Sequence, residues 1–167
     1  MIENQIYLLL GSNMGEREIL LRKAVSEIAQ NCGKILQRSS LYETAPWGFD
    51  SDDWFLNQVI RIESELNPRE LLTSLLLIEK QMGRTRTHQQ YSSRFIDLDV
   101  LYFGQQILRT PDLEIPHPRL HLRRFTLLPL NEIAADFEHP ILKKTQQQLL
   151  AQLEDNSVVR RLIPDQI

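Results

Sequence analysis

Two amphipathic helical stripes, each set between strand-like runs, constrain this chain more than any other feature. Ile6-Tyr7-Leu8-Leu9-Leu10 is a short apolar run stopped by Gly11-Ser12-Asn13, the pattern of a buried strand. From Glu16 to Gln30 apolar residues recur at Leu20, Leu21, Ala24, Val25 and Ile28, and Asn31-Cys32-Gly33 ends the stripe as a helix C-terminus does. Lys34–Tyr42 reads as a second strand, Glu43–Asp53 as a long loop and Phe55–Glu63 as a third strand. Asn67-Pro68-Arg69-Glu70 then opens the clearest helix. Asn67 suits the N-cap, Pro68 the first helical position, and Glu70 the return bond of a capping box. Its stripe of Leu71, Leu72, Leu75, Ile78 and Met82 closes at Gly83. A polar loop leads to the strand Phe95–Phe103, with Gly104-Gln105 expected to turn it into a short hairpin ending at Ile107-Leu108. Pro111, Pro116, Pro118, Pro129 and Pro140 are expected to break the remainder of the chain into loops and short helices. The tail from Thr145 holds a further helix and the apolar pair Val158-Val159.

The order strand, helix, strand, strand, helix, strand predicts an α+β fold of ferredoxin-like, split β-α-β type. One mostly antiparallel sheet is covered by helices and carries a C-terminal elaboration. At 167 residues a single domain over 1–167 is expected. The longest apolar runs are about five residues against roughly 20 for a membrane span, and Met1-Ile2-Glu3-Asn4-Gln5 is unlike a secretory leader, so a cytoplasmic protein is expected. Cys32 is the single cysteine, which excludes an intrachain disulfide framework and a cysteine zinc cage.

The formal charge of −3 disfavours a general nucleic-acid coat, but it conceals a local asymmetry. Arg84, Arg86, Arg94, Arg109, Arg119, Arg123 and Arg124 fall in one stretch without a lysine, against Asp97, Asp99, Asp112 and Glu114. That stretch carries +3 and leaves −6 for the rest. Arginine without lysine suits bidentate binding of phosphate-type oxyanions, although any one of these side chains can equally be a solvated surface group. Within the strand Phe95–Phe103, alternation puts Asp97 and Asp99 on one face and Ile96, Leu98, Val100 and Tyr102 on the other. Two carboxylates so placed repel and are costly to bury. Either a divalent cation or arginines at a strand end resolves the cost. Magnesium takes one or two protein carboxylates and completes its shell with water and phosphate. With the arginines, that is equipment for phosphoryl transfer, yet no Walker loop is present. On its surroundings alone His117, between two prolines, reads as a structural histidine and Phe55 and Phe125 read as core residues, while Asn57 is an amide on an otherwise apolar strand that needs a partner.

Taken in order, these blocks resemble the 6-hydroxymethyl-7,8-dihydropterin pyrophosphokinase family of folate biosynthesis over nearly the whole chain. Arg94-Phe95-Ile96-Asp97-Leu98-Asp99-Val100-Leu101 is similar to its R-x-[IL]-D-[IL]-D-[IL]-L strand. Ile115-Pro116-His117-Pro118-Arg119, Arg123 and Phe125 come after it, and Glu43-Thr44-Ala45-Pro46, Phe55-Leu56-Asn57 and Ile78–Arg84 precede it. The resemblance implies transfer of the pyrophosphoryl group of ATP to the pterin hydroxymethyl oxygen, releasing AMP. It implies that Asp97 and Asp99 bind two magnesium ions. It also implies that Arg84, Arg86, Arg94, Val100, His117, Pro118 and Arg123 bind ATP, with Arg84 and Arg94 catalytic beside the aspartates. Thr44, Ala45, Trp47, Phe55, Asn57 and Phe125 would hold the pterin. A monomer acting on small molecules, with no nucleic-acid or membrane partner, is expected. The loops Glu43–Asp53 and Gly83–Ser93 are expected to close over the site after ATP binds. Three positions depart from the pattern: Tyr91-Ser92-Ser93 stands where Trp-Gly-Pro is common, Ala45 where proline is common, and Arg124 where a small residue is usual. Two other classes compete. A nucleotidyltransferase pairs Gly-Ser with Asp-x-Asp, but Gly11 and Asp97 are more than 80 positions apart. A ferredoxin-like RNA-binding module needs aromatic platforms and a basic face, of which only Tyr102 and Phe103 are present.

Overall fold

The computed structural model describes residues 2–45, 54–83 and 96–162. β1 (Glu3–Ser12) lies between β4 (Phe55–Ser64) and β5 (Asp97–Phe103) in one antiparallel sheet, with β5 at its edge. β2 (Lys34–Arg38) and β3 (Tyr42–Thr44) share the far edge of β4, and β8 (Val159–Arg161) extends the sheet beyond β3. Between β1 and β2 lies α1 (Arg17–Asn31), and between β4 and β5 lies α2 (Pro68–Gln81). This is the expected split β-α-β order. The capping box of α2 forms as read: Glu70 N–H donates to Asn67 Oδ1 at 2.8 Å, and Asn67 N–H donates to Glu70 Oε1 at 3.0 Å.

β1 is apolar on both faces because both are covered, which is why its run does not alternate with polar residues. Ile6, Leu8 and Leu10 face α1 and α2, where Leu21, Ala24, Ile28, Leu71, Leu75 and Ile78 complete one core. Tyr7 and Leu9 face the other way. There, with Val59, Leu101 and Tyr102, they meet α3 (Arg124–Ala134) and α4 (Gln146–Ala151) through Leu127, Leu130 and Leu149. The C-terminal elaboration is therefore a third layer on the sheet's second face.

Four local expectations are corrected. Lys34–Tyr42 is two strands, because regular pairing breaks at Ser39: its N–H still donates to Val59 O at 2.8 Å, but Val59 N–H returns to its hydroxyl at 3.0 Å and its carbonyl accepts Gln58 Nε2 at 2.8 Å. Gly104, at φ 55°, ends β5 by donating to Gln5 O; the hairpin is instead β6 (Leu108–Arg109) with β7 (Glu114–Ile115). Tyr102 does not share a face with Leu98 and Val100. The register against β1 slips between Tyr7↔Tyr102 and Leu8↔Val100, and this bulge turns Leu101 and Tyr102 together into the second core. Pro129 lies inside α3 and does not end it.

Candidate functional site

At one end of the sheet's second face the apolar cover stops and a polar row begins. Gly11 on β1 stands opposite Asn57 on β4 and opposite Asp97 on β5, so the row reads Asn57, Gly11, Asp97 across three strands. One step inward, Leu9 stands between Val59 and Asp99. With strands about 4.8 Å apart, Asn57 and Asp97 are separated by about 10 Å, and Asp97 and Asp99 by about 7 Å along β5. Gly11 has a specific reason to lack a side chain: a Cβ there would lie 2.6 Å from Asn57 Oδ1.

Leu9, Gly11, Asn57, Asp97 and Asp99 floor a cavity of about 670 Å³, within the range typical of small-molecule sites. Thr44 at the end of β3, Ala45 just after it and Phe55 at the start of β4 form one wall. Leu122, Arg123 and Phe125 form the other, with Glu154, Asp155 and Asn156 at the rim. Asn57 is 5% exposed and Phe55 39%, a buried amide beside an open aromatic face. Thr44 Oγ1 is buried and has no hydrogen-bond partner among the described residues, an orphaned polar atom on the cavity wall. Arg123 lies over the Phe125 ring at 5.5 Å. Burial and the like charge of Arg119 weaken the hold of Arg123 on its proton, while Asp99 opposes them across the cavity.

β5 is the edge strand, so its outward backbone groups need other partners. Glu79 of α2, 4% exposed, accepts Leu98 N–H at 2.8 Å and so fixes the residue between the two aspartates. His117 N–H donates to Leu101 O at 3.0 Å and hangs the loop after β7 on the same strand. The His117 Nδ1 accepts Arg119 N–H at 3.1 Å, which leaves the proton of the neutral ring on Nε2. Burial, then the charges of Arg123 and Arg119, pull its pKa down to about 4.

The structure thus gathers Asp97, Asp99, Thr44, Ala45, Phe55, Asn57, Arg123 and Phe125 around one cavity. His117 and Pro118 line a neighbouring hollow of about 190 Å³ with Arg109, Glu114, His121 and His139. Val100 is not brought to either; it is packed in the core under α2. Arg84, Arg86, Arg94 and Trp47 lie outside the described residues, as do most of the two loops expected to close. Sequence reading misses Glu79 and the rim residues 154–156. Glu79 has a detectable signal, a carboxylate on the buried stripe of Leu71, Leu75 and Ile78. The rim has none, since it arrives from the far end of the chain.

Among the described residues no group of three or more histidine, cysteine, aspartate or glutamate side chains gathers to cage a metal. Two half-buried carboxylates on one strand face are nevertheless a donor set that suits magnesium, whose remaining positions go to water and substrate phosphates. No described helix is long and apolar enough to cross a membrane.

Comparison with known proteins gives the family. The family model of 7,8-dihydro-6-hydroxymethylpterin-pyrophosphokinase matches residues 7–135. Proteins named 2-amino-4-hydroxy-6-hydroxymethyldihydropteridine pyrophosphokinase are similar to the chain. That of Bacillus subtilis is 41% identical over 138 residues, covering 82% of each chain. That of Methylorubrum extorquens is 39% identical over 155 residues, covering 92% of this chain and 96% of its own. Among solved structures, wild-type Plasmodium falciparum HPPK-DHPS with pteroate aligns with a TM-score of 0.74 at 18% identity. The alignment covers 91% of this chain and 42% of that one, so the chain spans less than half of that longer protein and the likeness speaks for the fold alone. By the family match and the relatives together, the chain belongs to the 7,8-dihydro-6-hydroxymethylpterin-pyrophosphokinase family.

Proposed function

We propose that the cavity between β3, β4, β5 and the start of α3 is where the family's reaction takes place. The chain is an ATP-dependent pyrophosphokinase that transfers the pyrophosphoryl group of ATP to 6-hydroxymethyl-7,8-dihydropterin, a step of folate biosynthesis. The observation that carries the placement is the row Asn57, Gly11, Asp97 with Asp99 behind it, opening into one cavity opposite Arg123.

On this reading the pterin lies against the Asn57 end. The Asn57 amide and the Thr44 hydroxyl pair with polar edges of the heterocycle, and the rings of Phe55 and Phe125 bound its faces. Gly11 keeps the space in which the Asn57 amide turns toward the ligand. Asp97 and Asp99 hold two magnesium ions, which when bound neutralise phosphate charge and acidify an alcohol in contact with them. Arg123 faces the two aspartates across the cavity and neutralises charge on the transferring group, with Arg84, Arg86 and Arg94 joining it and Arg84 and Arg94 acting catalytically. His117 beside Arg123 stays neutral at physiological pH and donates from Nε2 to a phosphate oxygen. Glu79 keeps Leu98, and with it both aspartates, in register.

The proposal extends to one pyrophosphokinase domain over residues 1–167, acting as a monomer in the cytoplasm on small molecules, without nucleic-acid or membrane partners. The formal charge of −3 supports the absence of a broad nucleic-acid surface. The test is incubation with ATP, magnesium and 6-hydroxymethyl-7,8-dihydropterin, with AMP as the expected product. Release of pyrophosphate would point to nucleotidyl transfer and contradict the reading.

A further inference from the structure

α3 begins at the cavity, with Arg123 at its N-cap and Phe125 in its first turn, yet no local side chain caps it. A helix start leaves N–H groups without partners. Here one partner comes from 31 residues downstream: Asp155 Oδ2 accepts Arg124 N–H at 3.0 Å. The other oxygen, Oδ1, accepts Ser157 N–H at 2.9 Å, and the Arg124 guanidinium donates back to Ser157 O at 3.0 Å. Burial alone would raise the Asp155 carboxyl, but these N–H groups and the charge of Arg124 outweigh it and hold it below its ordinary range. One residue on, Val158 O accepts Ala45 N–H at 3.1 Å, and Val159–Arg161 pairs with Tyr42–Thr44 as β8 on β3. Arg160 then pairs with Glu43 at 2.9 Å and lies over the Trp54 ring at 4.1 Å.

Residues 155–161 therefore form one strap that touches both flanks of the cavity, Thr44–Ala45 on one side and Arg123–Phe125 on the other. The strap lies beyond the residues matched by the family model, which end at 135. Arg124, which supplies half of its clasp, is a position where this chain departs from the family resemblance. Arg124 is absent from the cavity lining, and Asp155, although it reaches the rim, already accepts a backbone N–H on each oxygen, so the bonds the two side chains make hold the strap to the start of α3.

We propose that Asp155 and Arg124 are positioning residues that set the separation of the two pterin-binding walls, an inference that rests on the placement of the pterin in this cavity. A wall displaced by about 1 Å is enough to cost on the order of 100-fold in a preorganised site. The experiment measures binding of 6-hydroxymethylpterin, by calorimetry in the presence of magnesium and a non-hydrolysable ATP analogue, alongside affinity for the analogue itself. Asp155→Ala is expected to weaken pterin binding and raise its KM about tenfold, with analogue affinity changed less than about threefold. Asp155→Asn retains one acceptor oxygen and gives an intermediate loss. Arg124→Ala gives the same pterin-selective loss in smaller measure, and either of these variants serves if Asp155→Ala does not fold. Equal losses for pterin and analogue, or unchanged pterin binding in all three variants, would overturn the proposal. Asn57→Ala separates the two levels of inference. If it weakens pterin binding and the strap variants do not, the strap alone is wrong. If it leaves pterin binding intact, the cavity reading fails and the strap proposal falls with it.

Discussion

The two faces of the central sheet are built from the same three strands and do different work. Toward α1 and α2, β1 presents Ile6, Leu8 and Leu10, β4 presents Leu56, Ile60 and Ile62, and β5 presents Leu98 and Val100, all in one apolar core. Toward the C-terminal layer the same strands present Tyr7, Leu9 and Val59, then abruptly Asn57, Gly11, Asp97 and Asp99. Because a strand alternates faces with period two, polar groups can be placed on one side with no loss of packing on the other. The second face is thus free to be half core and half binding site, and the first carries most of the stability.

If that division holds, substitutions on the two faces should separate activity from stability. The largest effect is expected at the carboxylates. Asp97→Asn and Asp99→Asn should each lower AMP release by about 1,000-fold or more, the scale lost when charge stabilisation is removed, with a melting temperature close to that of the wild type. Next comes the opposite face. Leu75→Ala, on the buried face of α2 and 1% exposed, should cost about 3 kcal/mol in denaturant unfolding by leaving a cavity, with kcat/KM near wild type in the folded fraction.

A third contrast is in acid. His139 lies on the second face, and its Nδ1 accepts the N–H groups of Ile141 and Leu142 at 3.1 Å each. Burial, and then His121, pull its pKa down to about 4. The unfolded chain, with an ordinary imidazole near pH 6.5, then binds more protons, so stability is lost as pH falls from about 6.5 to about 4. His117 acts in the same direction. For His139 the loss is on the order of 2–3 kcal/mol, and His139→Asn, which keeps an acceptor without the titration, should flatten the slope in unfolding curves taken across that range. The smallest effect distinguishes two glycines. Gly11→Ala pushes against Asn57 Oδ1 and should weaken pterin binding by about 10- to 100-fold at nearly constant melting temperature. Gly33→Ala meets the Glu63 carbonyl at 2.0 Å, so its damage should be to folding and not to the affinity of the folded protein.

Legibility in the sequence divides along the same line between local and distant causes. Asn67, Pro68 and Glu70 announce α2 because a capping box is complete within four residues. Asp97 and Asp99 are legible as a pair because alternation over three residues needs no partner strand. Alternation puts Tyr102, three further on, on the wrong face because a bulge against β1 intervenes, and a bulge depends on two strands. The break at Ser39 likewise depends on β4, and the pairing of Val159–Arg161 with β3 depends on contacts more than 110 positions away. The cavity rim at Glu154–Asn156 is invisible for the same reason. Pro129 shows the converse: a strong local breaker is carried through α3 because Leu127 and Leu130 on either side are anchored in the second core.

The central claim is that Asp97 and Asp99 tie the nucleotide to the sheet through magnesium. Calorimetric titration of a non-hydrolysable ATP analogue, with magnesium and with EDTA, into the wild type and the Asp97→Asn/Asp99→Asn double variant tests it directly. The account predicts that magnesium strengthens binding to the wild type by tenfold or more, about 1.4 kcal/mol per factor of ten, and leaves the double variant unaffected. A double variant that gains as much from magnesium as the wild type would contradict it.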